Sequence, residues 1–357
     1  MREIIRRVHG YVGLAAGLLL CLTGLTGSLL VFSAELDRAA NPHLWRVPER
    51  RERASLQSVL DEVKRRLPPY VPETVRMPVE PGEAYEITLN SPDHRRVYVD
   101  PYTGHILGWR SATSYFRGWV FELHRRLLAG HHGENLTGAG GIALAVLCVT
   151  GLVLVSWSCG IANTILICWR ARAAASVFHW HVATGIAGSV LLIPIALTGA
   201  ALIFHAGLDR VAVATTGSSL RVSPPPYSRP PGTSAVTAPV DAILETANHA
   251  LPGGLITFIS MPPGAGYVVV RKRLPGEMHP NGRSMVYVDA AALRVVIVED
   301  ARRAPWPRRA FNLAYPLHIG QYLGWFGRAM QMAAGFLPTI LFVTGWILRG
   351  RCRSSRR

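Results

Sequence analysis

Residues 9–32, HGYVGLAAGLLLCLTGLTGSLLVF, decide the fold. This stretch is a run of apolar residues that opens with a histidine and is interrupted by glycines every few positions. A helix needs about 20 such residues to cross the ~30 Å hydrocarbon core of a bilayer. The stretch is too long for the apolar part of a signal peptide and lacks a small-x-small cleavage pattern, so we expect it to remain as a membrane anchor.

Three later blocks have the same composition, and the chain is therefore predicted to be an integral membrane α-helical protein with four transmembrane helices. The predicted spans lie near residues 9–33, 137–158, 179–206 and 326–348. The formal charge of +16 is concentrated partly in arginines next to these spans: Arg2, Arg6, Arg7, Arg170, Arg172, Arg349, Arg351, Arg353, Arg356 and Arg357. All of these arginines fall on one side of the membrane, which predicts cytoplasmic termini and two large extracytoplasmic loops, and argues against a nucleic-acid partner.

The first span recurs later in the chain, together with the segments around it. The corresponding residues are His9 and His181, Gly13 and Gly185, Leu25-Thr26-Gly27 and Leu197-Thr198-Gly199, Phe32 and Phe204, His124 and His318, and Thr150-Gly151 and Thr344-Gly345. The motif VYVD at residues 97–100 likewise returns at residues 286–289. Because the order is the same in both halves, the sequence predicts two parallel repeats, each made of a helix, a polar module and a helix.

Each polar module is predicted to hold one helix on a small antiparallel sheet. The predicted helices cover residues 55–67 and 240–251, and the predicted strands cover residues 84–89, 96–99, 255–260, 266–271, 285–289 and 293–298. Residues 215–237 are rich in proline, serine and threonine and are predicted to form a linker. The mixture of aromatic and basic residues at 115–128, and its counterpart at 311–323, predicts helices at the membrane surface.

The resulting order of segments is a first transmembrane helix (1–33), a first module (34–114), a surface helix with transmembrane helix 2 (115–169), a cytoplasmic loop with transmembrane helix 3 (170–206), a Pro-rich linker with the second module (207–310), and a surface helix with transmembrane helix 4 and a basic tail (311–357). The five cysteines lie in spans or on the predicted cytoplasmic side and include no CxxC pair, so neither a disulfide framework nor a zinc or iron–sulfur site is expected.

The histidines are the main candidates for chemistry, because ionisable side chains in or beside a bilayer are costly. His9 and His181 occupy equivalent positions at the cytoplasmic ends of their spans, and His124 and His318 are equivalent on the other side. A two-fold axis along the membrane normal would bring each pair face to face, which suits the two axial positions of a b-type haem. Gly13 and Gly185 follow His9 and His181 by one helical turn and would leave room for a flat macrocycle.

Other interpretations stay open. The histidines could be interfacial anchors or structural hydrogen-bonding residues, whereas zinc is disfavoured because no thiolate or carboxylate accompanies them at ligand spacing. His179 is an alternative to His181 as a ligand. Arg328 could bind a haem propionate or anchor to lipid headgroups, and its counterpart is Glu134. The remaining module histidines, His43, His94, His105, His249 and His279, are predicted to be surface residues.

The chain resembles the PepSY-associated transmembrane proteins of bacterial inner membranes, which are also called iron-regulated membrane proteins and include ferric-siderophore reductases. The resemblance rests on RRVHGYVG (6–13), LTG (25–27 and 197–199), VYVDPYTG (97–104), LHR (123–125), His181, LHIG (317–320) and GR (327–328). It departs from the family at residues 290–293, where AAAL replaces the Pro-x-Thr-Gly turn, and in the apolar tail after Trp157.

This resemblance implies a multi-pass protein of the inner (cytoplasmic) membrane with two periplasmic PepSY-like modules. It also implies that one or two b-type haems are held by His9, His181, His124 and His318. The expected function is electron transfer from a cytoplasmic or membrane-bound donor to a ferric siderophore or another ferric chelate, so that the chemistry belongs to the cofactor and no catalytic side chain is required. The alternative is a non-catalytic membrane protein whose modules bind peptides or regulate a peptidase. A transporter is less favoured, because no span carries Asp, Glu or Lys near its centre.

Overall fold

The structure is a computed structural model that describes residues 1–157, 177–222 and 238–354. Most of the predicted Pro-rich linker and the apolar tail after Trp157 lie outside these residues. The described chain forms two compact units. The membrane unit comprises Met1–Ser33, Val120–Leu208 and Ala314–Arg357, and the sheet unit comprises Ala34–Trp119 and Asp209–Leu313.

The helices are, in chain order, α1 (Arg2–Val31), α2 (Ser33–Ala40), α3 (Pro42–Trp45), α4 (Leu56–Arg66), α5 (Phe116–Arg126), α6 (Gly130–Ser156), α7 (Val177–Ile203), α8 (His205–Thr216), α9 (Val240–Ala250), α10 (Trp306–His318), α11 (Gly324–Ala334) and α12 (Leu337–Ser354). The strands are β1 (Pro72–Arg76), β2 (Tyr85–Leu89), β3 (Arg96–Val99), β4 (Ile106–Arg110), β5 (Leu255–Ser260), β6 (Tyr267–Arg273), β7 (Ser284–Asp289) and β8 (Val295–Glu299). A short 3₁₀ turn, Gln321–Leu323, precedes α11.

Among the described residues, four helical segments are long and apolar enough to cross a membrane. They are Arg2–Val31, Gly130–Ser156, Val177–Ile203 and Gln321–Gly350. The protein is therefore a membrane protein with apolar helices at the four predicted places, and its surroundings include a lipid bilayer. In the membrane unit α1 packs against α6 and α12, and α7 packs against the same two helices.

The fourth span is broken, which the sequence interpretation did not anticipate. Helix α11 ends at Ala334 and α12 begins at Leu337, with Pro338 in the first turn of the new helix, where its missing N–H costs nothing. The hydroxyl of Ser28 on α1 donates to the carbonyl oxygen of Met332 at 2.6 Å, so a neighbouring helix satisfies backbone next to the break. A side chain at Gly335 would overlap Ser28 and the carbonyl of Gly24, so glycine permits this close approach.

The strands of the sheet unit form one antiparallel sheet in the order β4-β3-β2-β1-β5-β6-β7-β8. The two segments predicted as separate modules are joined through β1 and β5, where Val75 lies opposite Ile259 and both side chains are fully buried. Strand β1 was absent from the sequence interpretation, as was β4. The predicted small sheets are thus two halves of one larger sheet, and their inner edges are closed by pairing with each other.

Helices α4 and α9 are joined by reciprocal caps. The carboxylate of Asp241 on α9 accepts the backbone N–H groups of Leu56 and Gln57 at 2.9 and 3.0 Å, at the start of α4. In return the side-chain oxygen of Gln57 accepts the N–H of Val240, the first residue of α9, at 3.0 Å. These are the orphan donors that a helix start must satisfy, so each helix begins with help from the other. Apolar residues from both modules share one buried core.

Two buried side chains of the second module correct the sequence interpretation or extend it. His279, predicted to be a surface residue, is only 5% exposed, and burial lowers its pKa to about 3, so it is neutral at physiological pH. Lys272 is 1% exposed and donates to Asn248 Oδ1 at 2.7 Å and to the Leu251 carbonyl at 2.6 Å. Burial lowers its pKa as well. Alternating polar and apolar residues in a strand indicate which face is buried. They do not show whether a polar side chain on that face has hydrogen-bond partners.

The turn that departs from the family pattern keeps the same construction. Asp100 accepts the backbone N–H of Tyr102 at 2.8 Å, and Asp289 accepts those of Ala291 and Ala292 at 2.9 and 3.0 Å. Gly104 closes the first turn with φ 71°, and Leu293 takes the equivalent place with φ 52°. The second turn is therefore formed in spite of its sequence, with a left-handed residue that bears a side chain.

We expect Asp241→Ala to destabilise the start of α4, because two backbone donors lose their acceptor at a typical cost of about 1–2 kcal/mol. Amide hydrogen exchange of the intact protein in detergent should show the first turn of α4 exchanging roughly fivefold to thirtyfold faster. Glu245→Ala is the matched control, since Glu245 is an exposed acid on the same helix whose nearest ionic partner, His249, is 3.8 Å away. Equal effects of the two substitutions would contradict the reciprocal cap.

Candidate functional site

The four histidines singled out by the sequence form two pairs in the membrane unit. The ring centres of His9 and His181 are 6.3 Å apart, and those of His124 and His318 are 6.2 Å apart. His9 lies on α1 and His181 on α7, whereas His124 and His318 lie in the last turns of α5 and α10. Each pair thus combines one histidine from each half of the chain.

Each histidine is held by a threonine on another helix. The distance from Nδ1 to the threonine Oγ1 is 2.9 Å for His9 and Thr150, 2.8 Å for His181 and Thr344, 3.1 Å for His124 and Thr26, and 3.4 Å for His318 and Thr198. All four threonines belong to the Thr-Gly dipeptides that repeat in the sequence. The same contact between a histidine Nδ1 and a threonine hydroxyl therefore occurs four times.

The hydrogen bonds fix the tautomer at the second pair. His124 Nδ1 lies 3.0 Å from the carbonyl oxygen of Thr23, and His318 Nδ1 lies 3.0 Å from that of Ile195. A carbonyl oxygen can only accept, so the proton must be on Nδ1. Nε2 of both rings then carries an unprotonated lone pair, which is the form in which imidazole binds a metal.

The threonines indicate the same tautomer for His9 and His181 of the first pair. Thr150 Oγ1 is 2.7 Å from the carbonyl of Val146, and Thr344 Oγ1 is 2.7 Å from that of Ile340, four residues earlier in the same helix. When the hydroxyl proton is given to that carbonyl, the oxygen can only accept from the histidine. His9 and His181 also bond to the backbone of Leu147 and Leu341, the third residue before each threonine. Nδ1–H donors and free Nε2 lone pairs are thus consistent across all four rings.

The glycine after each threonine provides the space for the ring. A Cβ at Gly27 would lie 3.1 Å from Cε1 of His124, and one at Gly199 would lie 2.8 Å from Cε1 of His318. At Gly151 and Gly345 the corresponding distances, to His9 and His181, are both 3.3 Å. These separations are at or below the tight end of carbon–carbon contact, so the missing side chain lets the imidazole lie directly against the helix backbone.

The two pairs lie at opposite ends of the same helix. On α1, His9 belongs to the first pair, whereas Thr23 and Thr26 hold His124 of the second. The intervening 14 to 17 residues of helix correspond to about 21 to 26 Å along the axis. This distance is most of the thickness of a bilayer core.

The pairs suit a metal that needs only two protein ligands. Two imidazole nitrogens on opposite sides of one metal, each at about 2 Å, place the ring centres about 6 Å apart. Both measured separations agree with this value. In the described residues no group of three or more His, Cys, Asp or Glu could hold a metal ion, so a four-ligand zinc site is not formed there. Iron in a porphyrin takes four ligands from the macrocycle and two from the protein, which is what each pair offers.

The other predicted site residues have different surroundings. Gly13 faces Leu147 and Gly185 faces Leu341, with would-be Cβ distances of 3.6 and 3.8 Å, and their part in seating a macrocycle stays a prediction. Arg328 donates to the carbonyl of Val31 at 2.5 Å and covers the ring of Phe32 at 4.4 Å, at the end of α1. Its counterpart Glu134 is bound by Arg125 at 2.7 Å.

Of the two candidate histidines on α7, His181 is the one that faces His9. The ring of His179 lies edge-on against Phe178, with ring centres 6.0 Å apart.

Residues 6–349 match the family described as the PepSY-associated TM region. The chain belongs to the PepSY-associated transmembrane family. The match confirms the resemblance inferred from the short motifs, and the matched residues contain both histidine pairs and the four Thr-Gly dipeptides that contact them. No curated protein shows significant similarity to the chain.

The fixed tautomer can be observed directly. In haem-free protein carrying ¹⁵N-labelled histidine, we expect neutral rings protonated on Nδ1 for the four paired histidines. Thr150→Val removes the hydroxyl but keeps the shape, and should shift the His9 Nδ1 signal and weaken the preference for the Nδ1–H tautomer, because only the Leu147 backbone remains as an acceptor. Thr215→Val is the control, because Thr215 bonds back to its own helix at Val211 O (2.8 Å) and is on α8, away from the pairs in sequence. Protonation of Nε2 in the wild type would contradict the assignment.

Proposed function

We propose that this protein is a haem b-containing inner-membrane reductase, which passes electrons across the membrane to a ferric siderophore or another ferric chelate in the periplasm. The single observation that carries the proposal is the geometry of the two histidine pairs: ring centres about 6 Å apart, with every Nδ1 engaged as a donor. Membership of a family that includes siderophore reductases supports it.

The residues that would hold two haems are His9 with His181 and His124 with His318. Bound haem supplies a one-electron couple, whose potential depends on its axial ligands and their hydrogen bonds. The threonines act on this property through the histidines: an Nδ1–H that donates to an oxygen makes Nε2 a more basic ligand and holds the ring plane in place. Two sites separated by about 21 to 26 Å along α1 are arranged to carry electrons from one face of the membrane to the other.

The proposed topology follows from the arginines that flank the spans, which favour cytoplasmic termini and a periplasmic sheet unit. The His9/His181 pair would then lie on the cytoplasmic side, near a cytoplasmic or membrane-bound electron donor. The His124/His318 pair would lie on the periplasmic side, near the acceptor. Reduction of Fe(III) to the less charged Fe(II) weakens its bonds to hard oxygen ligands and so favours release from a chelate.

The haem content tests the proposal. Purified protein expressed with an adequate supply of haem should show a b-type spectrum and two haems per chain by the pyridine haemochrome assay. His9→Ala and His124→Ala should each remove one haem, and the double variant should remove both, because one axial ligand is lost at each site. His179→Ala is the control and should keep two. A wild-type protein without haem would sink the proposal and leave the alternative, a PepSY sheet that binds peptides, as the function to test.

The acceptor can be tested separately. Protein reduced with dithionite, freed of excess reductant and mixed anaerobically with a ferric hydroxamate should be reoxidised, with one Fe(II) formed for each electron lost. The same chelator loaded with Ga(III) is the matched control, since Ga(III) has a similar charge and size but cannot accept the electron. Reoxidation at equal rates with the two complexes would show that ferric iron is not the acceptor.

A further inference from the structure

Arg349 lies beside the His9/His181 pair and was not singled out for this role by the sequence. It follows Gly345, the glycine that seats His181, by one helical turn on α12. Its guanidinium carbon is 4.7 Å from the centre of the Tyr11 ring. A Cβ placed on Gly10 would be 3.4 Å from one of its terminal nitrogens. Arg349 therefore reaches from the helix that holds His181 to the residues next to His9.

The guanidinium is incompletely paired. Its Nε is buried and has no hydrogen-bond partner within residues 1–157, 177–222 and 238–354. Glu3, the acid in the first turn of α1, is bonded by Arg6 and Arg7, both at 2.9 Å. Leaving a buried donor unpaired is destabilising, and more so when the donor belongs to a charged group. An acceptor outside the described chain would remove that cost.

The position and the shape of the side chain define the acceptor. Guanidinium presents a planar fork of N–H donors that matches a carboxylate with two parallel hydrogen bonds. A haem held by His9 and His181 would bring its two propionate carboxylates to the edge of this site. Arg328 at the other end of α1 differs, because its fork already donates to the carbonyl of Val31.

We propose that Arg349 binds a propionate of the haem held by His9 and His181, an inference that rests on the proposed function. The arginine thereby fixes the rotation of the macrocycle about the axis through the two histidines, which axial ligands alone leave free. It also places a positive charge beside that haem and favours its reduced state, since reduction adds an electron to the group. A phosphate of a lipid headgroup is the other anion with suitable chemistry, and the experiment below separates the two.

The test compares haem with its dimethyl ester, in which both propionates are blocked. His124→Ala/His318→Ala protein provides a background in which only the His9/His181 site remains. In this background, Arg349→Gln should lower the ratio of the two dissociation constants, ester over haem, about tenfold, equivalent to 1.4 kcal/mol. Using the ratio cancels the difference in lipid solubility between the two compounds. Arg7→Gln is the charge-matched control and should leave the ratio unchanged, because Arg7 is exposed and paired with Glu3.

Each result has a distinct meaning. An unchanged ratio in Arg349→Gln protein that still binds haem would overturn the propionate contact and favour the lipid phosphate, while leaving the haem site standing. Absence of haem binding in the background protein and in the wild type would overturn the proposed function, and this contact with it. If Arg349→Gln does not fold, Arg349→Lys keeps the charge but not the fork, and should lower the ratio by a smaller factor. If the Arg349→Lys protein keeps the same ratio of dissociation constants as the protein with Arg349, the two parallel hydrogen bonds of the guanidinium are not used.

A second readout uses the two-haem protein. In a redox titration, Arg349→Gln should lower the midpoint potential of one haem and leave the other unchanged, because a positive charge near one site has been removed. Equal shifts at both haems, or no shift, would contradict the placement of Arg349 at a single site.

Discussion

The hydrogen bond from a histidine Nδ1 to a threonine hydroxyl occurs four times, and both histidine pairs depend on it. A neutral imidazole has one donor and one acceptor, so an acceptor placed at Nδ1 decides which nitrogen is left with a lone pair. The threonine is well suited to this task inside a membrane helix. Its own proton can be given to the carbonyl four residues earlier, as in Thr26 to Leu22 at 2.7 Å, which leaves its oxygen as an acceptor facing the neighbouring helix.

The glycine that follows each threonine is the second part of the same structural motif. A hydroxyl can reach Nδ1 only if that edge of the ring lies close to the helix that carries the threonine, and a Cβ at the next residue would crowd Cε1 of the ring. Association of helices in lipid relies on such close approach and on polar contacts between helices, because apolar burial gives little advantage there. The Thr-Gly dipeptides therefore serve helix packing and ring orientation at the same time.

Much of this arrangement could be predicted from the sequence, for definite reasons. The transmembrane helices could be predicted because a bilayer requires long apolar segments. The histidine pairs could be predicted because His9 and His181 lie at equivalent positions of a sequence repeat. The Thr-Gly motifs are visible in the sequence as repeats, but their contacts to histidine cannot be predicted from spacing, since each contact joins different helices. The continuous sheet was missed because β1 pairs with β5 across a long sequence separation, and strand patterns reveal faces and not partners. The break near Gly335 was missed because composition does not show that Ser28 satisfies the carbonyl of Met332.

Each histidine pair is built from both halves of the chain. Within each half the threonines hold that half's own histidines: Thr150 holds His9 and Thr26 holds His124. The pairs form only between the halves, since His9 meets His181 and His124 meets His318. One half can thus orient its rings but cannot complete either pair. Fusing two such halves in one chain supplies the second ligand at a high effective concentration, which a separate copy would have to provide by association in the membrane. It also frees the halves to diverge, as at Arg349, where the first half has Val155.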